Sequence, residues 1–232
     1  DDEYKIEKIW TNFYPHSIGL FYSTITDYLG FEINEGEFKV MSLGSFGKPI
    51  YEKELKKVFN IDDFQINMDY FEFQKNPSKS FSTKLSEILG EPYLNINLEE
   101  NFKKYADIAS SAQLILEMTM KNLLEKAIKL SGKKKVVLTG GVALNCKMIH
   151  SLSKQNIFEE LIVPPSPGDS GSAIGAANFA YLNKEKTKTL NFNSIFLGPK
   201  KEIINKKITK ENLFSKINLT DNFLDEAANK LI

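Results

Sequence analysis

The stretch Lys133-Lys-Lys-Val-Val-Leu-Thr-Gly-Gly-Val-Ala-Leu-Asn-Cys146 decides how the rest of the chain is read. Val136-Val-Leu138 is a short apolar run of β-branched type that stops at Thr139-Gly140-Gly141. Val142 to Ser153 then reads as a helix, with Val142, Leu144, Met148, Ile149 and Leu152 as its apolar positions. The reading is a buried strand that runs through two glycines directly into a helix. Glycine permits positive φ and lets a ligand approach the backbone closely. The first free N–H groups of the helix and the positive end of its dipole face the same spot. Such a turn suits a phosphate. A tight β–α turn with no ligand accounts for the glycine pair equally well, since short glycine-containing turns are common in α/β folds.

A second stretch shifts that balance. Glu160-Leu-Ile-Val163 reads as another short strand and runs into Pro164-Pro-Ser-Pro-Gly-Asp-Ser-Gly-Ser172. A helix of small residues follows, Ala173-Ile-Gly-Ala-Ala-Asn-Phe-Ala180. Asp169 stands where that helix begins, flanked by Gly168, Ser170 and Gly171, and a helix N-cap is the commonest role for such an Asp. Two successive strand–loop–helix units, however, bring both loops to one edge of a parallel sheet, where α/β proteins bind ligands. Two glycine-bearing loops side by side favour a nucleotide cleft.

These residues carry a family resemblance. Leu138-Thr-Gly-Gly-Val-Ala-Leu-Asn-Cys146 followed by Pro164-Pro-Ser-Pro-Gly-Asp-Ser-Gly-Ser-Ala-Ile-Gly-Ala-Ala177 resembles the O-carbamoyltransferases of the nodulation-protein-U and antibiotic-biosynthesis type. So does Tyr14-Pro-His-Ser-Ile-Gly-Leu-Phe-Tyr-Ser23, with Gly36-Glu-Phe-Lys-Val-Met41 and Gly44-Ser-Phe-Gly47 behind it. The motifs keep the same order from about residue 10 to about residue 200, which is far more specific than one glycine pair.

Composition is consistent with an ordinary globular chain. The 232 residues are 42% hydrophobic and 26% charged, enough for one large domain or one and a part. Thirty basic residues balance thirty acidic ones, so bulk charge favours neither nucleic acid nor an anionic membrane. The single cysteine, Cys146, excludes an internal disulfide and a multi-cysteine zinc site, which fits a cytoplasmic protein. No apolar run is long enough to span a bilayer. The opening Asp1-Asp-Glu-Tyr-Lys lacks the basic-then-apolar pattern of a signal peptide and has no initiator Met, so the chain reads as a fragment or processed product.

Elsewhere the pattern is mixed. Tyr4 to Phe13 suggests a strand or two, and Ser17 to Leu29 a helix capped by Ser17 and ended by Gly30. Glu37 and Lys39 share a face if their segment is extended, where they form either a surface ion pair or part of a cleft. In a cleft, Lys39 reaches an anionic ligand and Glu37 accepts from a ribose hydroxyl. Tyr51 to Val58 and Ser82 to Leu89 read as helices, Phe64 to Phe71 as a half-buried strand, and Tyr70, Phe71 and Phe73 as core. Asn101 to Ser131 is the clearest helix. Ile108, Ala112, Ile115, Thr119, Leu123, Ala127 and Leu130 form its stripe, widened by Ala109, Leu116, Met120 and Leu124, which implies burial against a sheet. Gln113 and Glu117, four apart, make a polar rim on this scaffold. Asn183 to Thr189 is the candidate linker, dividing residues 1–189 from residues 190–232, where Phe196-Leu-Gly-Pro199 resembles the start of the family's C-terminal domain.

The resemblance implies an α/β, ribonuclease-H-like fold of the sugar-kinase/actin/heat-shock ATPase type, present here as an incomplete lobe. It implies that carbamoyl phosphate and ATP yield carbamoyl-adenylate, and that the carbamoyl group passes to a hydroxyl of a small-molecule or sugar acceptor. A more distant likeness is to the transferases that make threonylcarbamoyl-adenosine in tRNA. The candidate site is then His16 and Lys39 as catalytic groups, with Gly140, Gly141, Asn145, Glu37, Gly168 and Ser170 around the nucleotide. Asp169 is the candidate ligand of a divalent metal, iron or similar. The family's pair of metal-binding histidines on one helix is missing, because the two histidines, His16 and His150, lie far apart. The family's first lobe and its Arg-rich region are missing as well. The expected partners are therefore the missing lobes of the same enzyme, with no membrane and no nucleic acid. The alternative is a non-catalytic nucleotide-binding or assembly module of the same fold.

Overall fold

Ser17 opens the first helix: its side chain accepts the Leu20 N–H at 3.3 Å, satisfying one of the free donors of a helix start. The computed structural model describes residues 6–76, 79–93 and 98–185. Helix α1 (Ile18–Tyr28) is followed by α2 (Glu37–Leu43), which runs on into a 3-10 turn at Gly44–Phe46. Then come α3 (Glu52–Val58), strands β1 (Phe59–Asn60) and β2 (Gln65–Ile66), α4 (Thr83–Leu89) and the long α5 (Leu98–Ser131). The last part holds β3 (Lys135–Val137), α6 (Cys146–Ser153), β4 (Glu160–Ile162) and α7 (Gly171–Glu185).

Helix α5 is the axis of the core. Ile108, Ala109, Ala112, Ile115 and Leu116 on its stripe are all buried. The expected sheet is not what covers them: α5 packs chiefly against α1, α2, α3, α6 and the Gly44–Phe46 turn. Small residues make this possible. A Cβ on Gly47 would stand 2.0 Å from the Ala106 carbonyl oxygen, so the Gly44-Ser-Phe-Gly47 motif lies flat against the backbone of α5. Phe21 of α1 meets Phe59 of β1 with ring centroids 5.6 Å apart, closing the other side of the core. Toward its C-terminus the α5 stripe surfaces, and Leu130 is 52% exposed. Gly132, at φ 67°, turns the chain out of the helix toward β3.

Three local expectations are corrected. Residues 6–13 form no regular strand; Trp10 instead packs edge-on against Phe64 at 5.6 Å, with the Lys126 ammonium 4.0 Å over its ring. Of Phe64 to Phe71 only Gln65–Ile66 is strand, paired antiparallel with β1. The alternation breaks because the Asn67 side chain accepts the Asp69 N–H and starts a 3-10 turn. Residues 37–41 are helical, not extended, since the Glu37 carboxylate accepts the Asn34 N–H at 3.0 Å at the first turn of α2.

The second half matches the α/β expectation. Strands β3 and β4 pair in parallel, with Lys135, Val136 and Val137 opposite Glu160, Leu161 and Ile162. Val136, Leu138 and Leu161 pack toward the core, but Val137 and Ile162 face outward, so the strands are covered on one face and not buried on both. Helix α7 runs to Glu185, through the first residues of the expected linker. Residues 186–232, with the rest of that linker and the expected second domain, lie outside the described residues.

Candidate functional site

The two glycine-bearing loops meet at one end of the parallel strand pair. Leu138 donates its N–H to Ile162 at 2.9 Å, the last rung between the strands. Beyond it, the Pro167 carbonyl accepts both the Gly140 N–H at 2.7 Å and the Thr139 hydroxyl at 2.9 Å. Gly140 sits at φ 103°, a conformation that side chains with a Cβ rarely adopt. No atom lies within 4 Å of where a Cβ would project from Gly140 or Gly141, so the turn opens onto free space.

The helix expected from Val142 begins later. Gly141–Leu144 is a 3-10 turn, Asn145 is extended, and α6 starts at Cys146. Asn145 decides this, because its side-chain oxygen accepts the Met148 N–H at 2.8 Å and caps the helix. The N-terminus of α6 is therefore displaced from the glycine pair. The N–H groups of Gly141 and Val142, by contrast, donate to no group among the described residues. Adjacent free N–H groups at the mouth of a turn are the elements of an anion nest.

Asn145 is held from behind by a buried polar network. Its side-chain amide exchanges two hydrogen bonds with that of Gln113 on α5, at 3.1 and 2.9 Å. The Gln113 oxygen also accepts the Tyr22 hydroxyl of α1 at 3.0 Å, and its nitrogen donates to Glu117 at 2.9 Å. Burial pushes the Tyr22 phenol well above its ordinary range, and the Glu37 and Glu117 carboxylates add to the effect, so Tyr22 stays a neutral donor. The sequence placed Gln113 and Glu117 on a polar rim; their tie to the glycine turn, like the roles of Tyr22, Thr139 and Pro167, was not foreseen. Two polar residues four apart on an apolar helix face were the available signal for the first pair.

The first turn of α1, just beyond the Pro-His-Ser segment, reaches the same place. A Cβ on Gly19 would lie 3.5 Å from Val142, so the start of α1 abuts the glycine turn. His16 is half-buried and its Nδ1 accepts the Ile66 N–H at 3.2 Å. A nitrogen that accepts bears no proton, so neutral His16 carries its proton on Nε2. Glu37 takes the Ser23 hydroxyl at 2.7 Å in addition to the Asn34 N–H, both on Oε1. Lys39 is exposed, its ammonium 5.8 Å from the ring centroids of Phe31 and Phe38. In a helix, positions two apart diverge, so Glu37 and Lys39 do not share a face.

In the second loop the Gly168 carbonyl accepts the Gly171 N–H at 3.0 Å, and the Ser166 and Ser170 hydroxyls are 2.6 Å apart. Asp169 is exposed; its carbonyl accepts the Ser172 N–H and hydroxyl, while its carboxylate takes no hydrogen bond among the described residues. Among the described residues no group of three His, Cys, Asp or Glu side chains is placed to hold a metal ion. Around Asp169 the described residues complete no metal centre. A shallow cavity of about 510 Å³ lies between α6 and the proline loop, lined by Leu144, Cys146, His150, Pro164 and Pro167 among others, and it does not include Gly140, Gly141 or Asp169.

A family model described as "Carbamoyltransferase N-terminus" matches residues 1–178. The chain belongs to the carbamoyltransferase family. The match takes in every motif that forms the paired loops and the start of α1. An uncharacterised protein of Synechocystis is 32% identical over 200 residues, covering 82% of this chain and 32% of that protein. Nodulation protein NolNO of Sinorhizobium fredii is 30% identical over 165 residues, covering 69% of this chain and 22% of that protein. Nodulation protein NolO of Bradyrhizobium diazoefficiens is 29% identical over 166 residues, covering 70% of this chain and 28% of that protein. The chain thus spans about a third or less of the length of these relatives. No described helix is long and apolar enough to cross a membrane.

Proposed function

We propose that this chain is the nucleotide-holding part of a carbamoyltransferase. In this reading water releases phosphate from carbamoyl phosphate, the resulting carbamate attacks the α-phosphate of ATP, and pyrophosphate leaves; the phosphate of the carbamoyl-adenylate so formed rests on the Gly140-Gly141 turn. A hydroxyl of a small-molecule or sugar acceptor then attacks the carbamoyl carbon, and AMP leaves. Family membership supports the transfer, and the parallel strand pair with both loops at one end is compatible with the sugar-kinase/actin/heat-shock ATPase fold. One observation carries the nucleotide assignment: the N–H groups of Gly141 and Val142 are unused, at a turn with open space at the Cβ positions of its two glycines and beside a loop whose one carboxylate, Asp169, is unengaged.

Each residue then has a task. Gly141 and Val142 donate to phosphate oxygens, and Asn145, locked to Gln113, holds the turn in shape. Gly168 and Ser170 line the facing loop. An acidic side chain beside phosphates repels them unless a cation lies between, so Asp169 is assigned as one ligand of a divalent cation. The other ligands would come from outside the described residues, and the cation would neutralise phosphate charge. His16 can exchange a proton only through Nε2 while Nδ1 stays bound to Ile66. Glu37 has its Oε2 left for a ribose hydroxyl, and Lys39 is free to meet an anionic group.

Equilibrium binding of ATP to the 232-residue chain, with and without a divalent cation, tests this. Gly141→Val fills the open space without touching the fold, and should weaken binding at least tenfold with the melting temperature unchanged. Asp169→Asn should remove the cation-dependent part of the affinity and leave the rest. Equal affinity in all three proteins would end the nucleotide assignment. ATP binding without carbamoyl transfer, in the longest polypeptide that carries these residues, would leave the non-catalytic module.

A further inference from the structure

The geometry points to a soft-metal site between α2 and α6, in which the Cys146 thiolate, the Met41 thioether and the His150 imidazole hold Cu(I). It does not rest on the nucleotide reading, because none of these three side chains has a part in that reading.

Helix α6 sets two of the ligands. Met148 and Leu152, at 0% and 1% exposure, fix which face of the helix meets the core. Cys146 and His150 are each two positions from a member of that pair, on the opposite, exposed face. They are themselves four apart, which stacks their Cβ atoms about 5–6 Å from one another. Two side chains at that spacing can bind one metal ion, as the paired histidines of zinc proteases do. Both residues line the cavity between α6 and the proline loop. The His150 imidazole makes no hydrogen bond among the described residues; only its backbone carbonyl does, accepting the Ser153 hydroxyl.

Helix α2 supplies the third ligand. The Cys146 thiol donates to Met41 Sδ at 3.8 Å, across 105 positions of chain. With metal–sulfur bonds of about 2.3 Å, two sulfurs on one tetrahedral or trigonal metal stand about 3.8–4.0 Å apart. The pair is thus already at the separation a shared metal requires. Packing alone also brings two sulfurs this close; the third donor, one turn along α6, is what completes the set.

The donors choose the metal. Thioether and thiolate are soft ligands that select Cu(I), and imidazole suits copper too, whereas hard cations take oxygen. No acidic residue lines the cavity among the described residues. Charge favours the same ion. Cu(I) displaces the thiol proton, which leaves to solvent, so metal and thiolate sum to zero beside Leu144, Ile149 and Val163. A divalent ion on these ligands would keep a positive charge against apolar walls, which costs more. Because the two sulfurs belong to different helices, bound metal ties α2 to α6.

Reduced 232-residue chain is titrated anaerobically with Cu(I) held by a coloured Cu(I) chelator, and loss of the chelate colour reads the share taken by the protein. One Cu(I) per chain should bind, with a melting temperature that rises as Cu(I) is added. Cys146→Ser should abolish both effects, and Met41→Leu and His150→Ala should each weaken binding at least tenfold. Met118→Leu, on α5, should leave binding unchanged. All four side chains are exposed or half-buried, and urea unfolding without metal checks that each variant folds as the parent chain does. No binding overturns the site. So does binding that needs Cys146 but is indifferent to Met41→Leu and His150→Ala, which is the behaviour of a bare thiol. Zn(II) that displaces Cu(I) at equal concentration overturns the choice of metal.

Discussion

Gln113 shows how much depends on one side chain. A primary amide offers two donors and two lone pairs, and Gln113 uses all four: Asn145 twice, Tyr22 and Glu117. Replacing it with Leu strands a buried hydroxyl and half of the Asn145 amide, each a desolvated polar group without its partner. Gln113→Leu should therefore cost about 1–3 kcal/mol in urea unfolding. Asn145→Ala should cost about 1 kcal/mol through the lost cap alone, and more through the pair. Because the two residues share their bonds, the double variant should cost clearly less than the sum; additivity would show the pair to be energetically idle. The glycines at 140 and 141 were legible at this scale because only glycine tolerates such a turn. The N–H of Gly140 was not: it belongs to Pro167, a residue 27 positions on in the chain, and no local pattern announces that contact.

At the scale of elements, Asp107 ties α5 to the segment after the Gly44–Phe46 turn. Its carboxylate accepts the Lys48 N–H at 2.6 Å and the Lys103 ammonium. Burial works against the charged form, yet these bonds outweigh it and hold the Asp107 carboxyl below its usual range. A depressed carboxyl stabilises the fold above its unfolded value of about 3.9 and ceases to do so as pH falls through the folded one. Asp107→Asn should thus lower stability at pH 7 and flatten the loss of stability below about pH 4, read as urea midpoints between pH 7 and pH 2.5. An acid limb as steep as that of the parent chain would assign the acid sensitivity elsewhere. Helix α1, capped by Ser17, and α4, which starts after Ser82 although that side chain donates to the Asp69 carbonyl and caps nothing, were both placed from sequence to within a residue. Val142 to Ser153 was not, because Asn145 competes with the backbone for the Met148 N–H and starts the helix four residues late.

Across the described unit, burial along α5 follows what packs against each part of the helix and not hydrophobic periodicity alone. Ile108 and Leu130 belong to the same stripe in sequence, yet one is fully buried and the other 52% exposed. Ile108→Ala should cost about 2–5 kcal/mol through the cavity it leaves. Leu130→Ala should stay within about 0.5 kcal/mol, as surface changes do. Thermal and urea unfolding of the two variants checks the contrast, and equal costs would mean that the end of α5 is covered in solution. The sequence by itself determined the order of strand, glycine turn, helix, strand, loop and helix, because those choices rest on local sterics: β-branched runs, glycine and capping side chains. It also determined the family, since several motifs in one order constrain the answer far more than any single turn. Tertiary structure alone decided that α5 packs among helices and not on a sheet, that the Pro167 carbonyl joins the two loops, and that Gln113 secures the turn from behind. Those contacts join residues tens of positions apart, and they form only where packing brings desolvated polar groups close enough to satisfy one another.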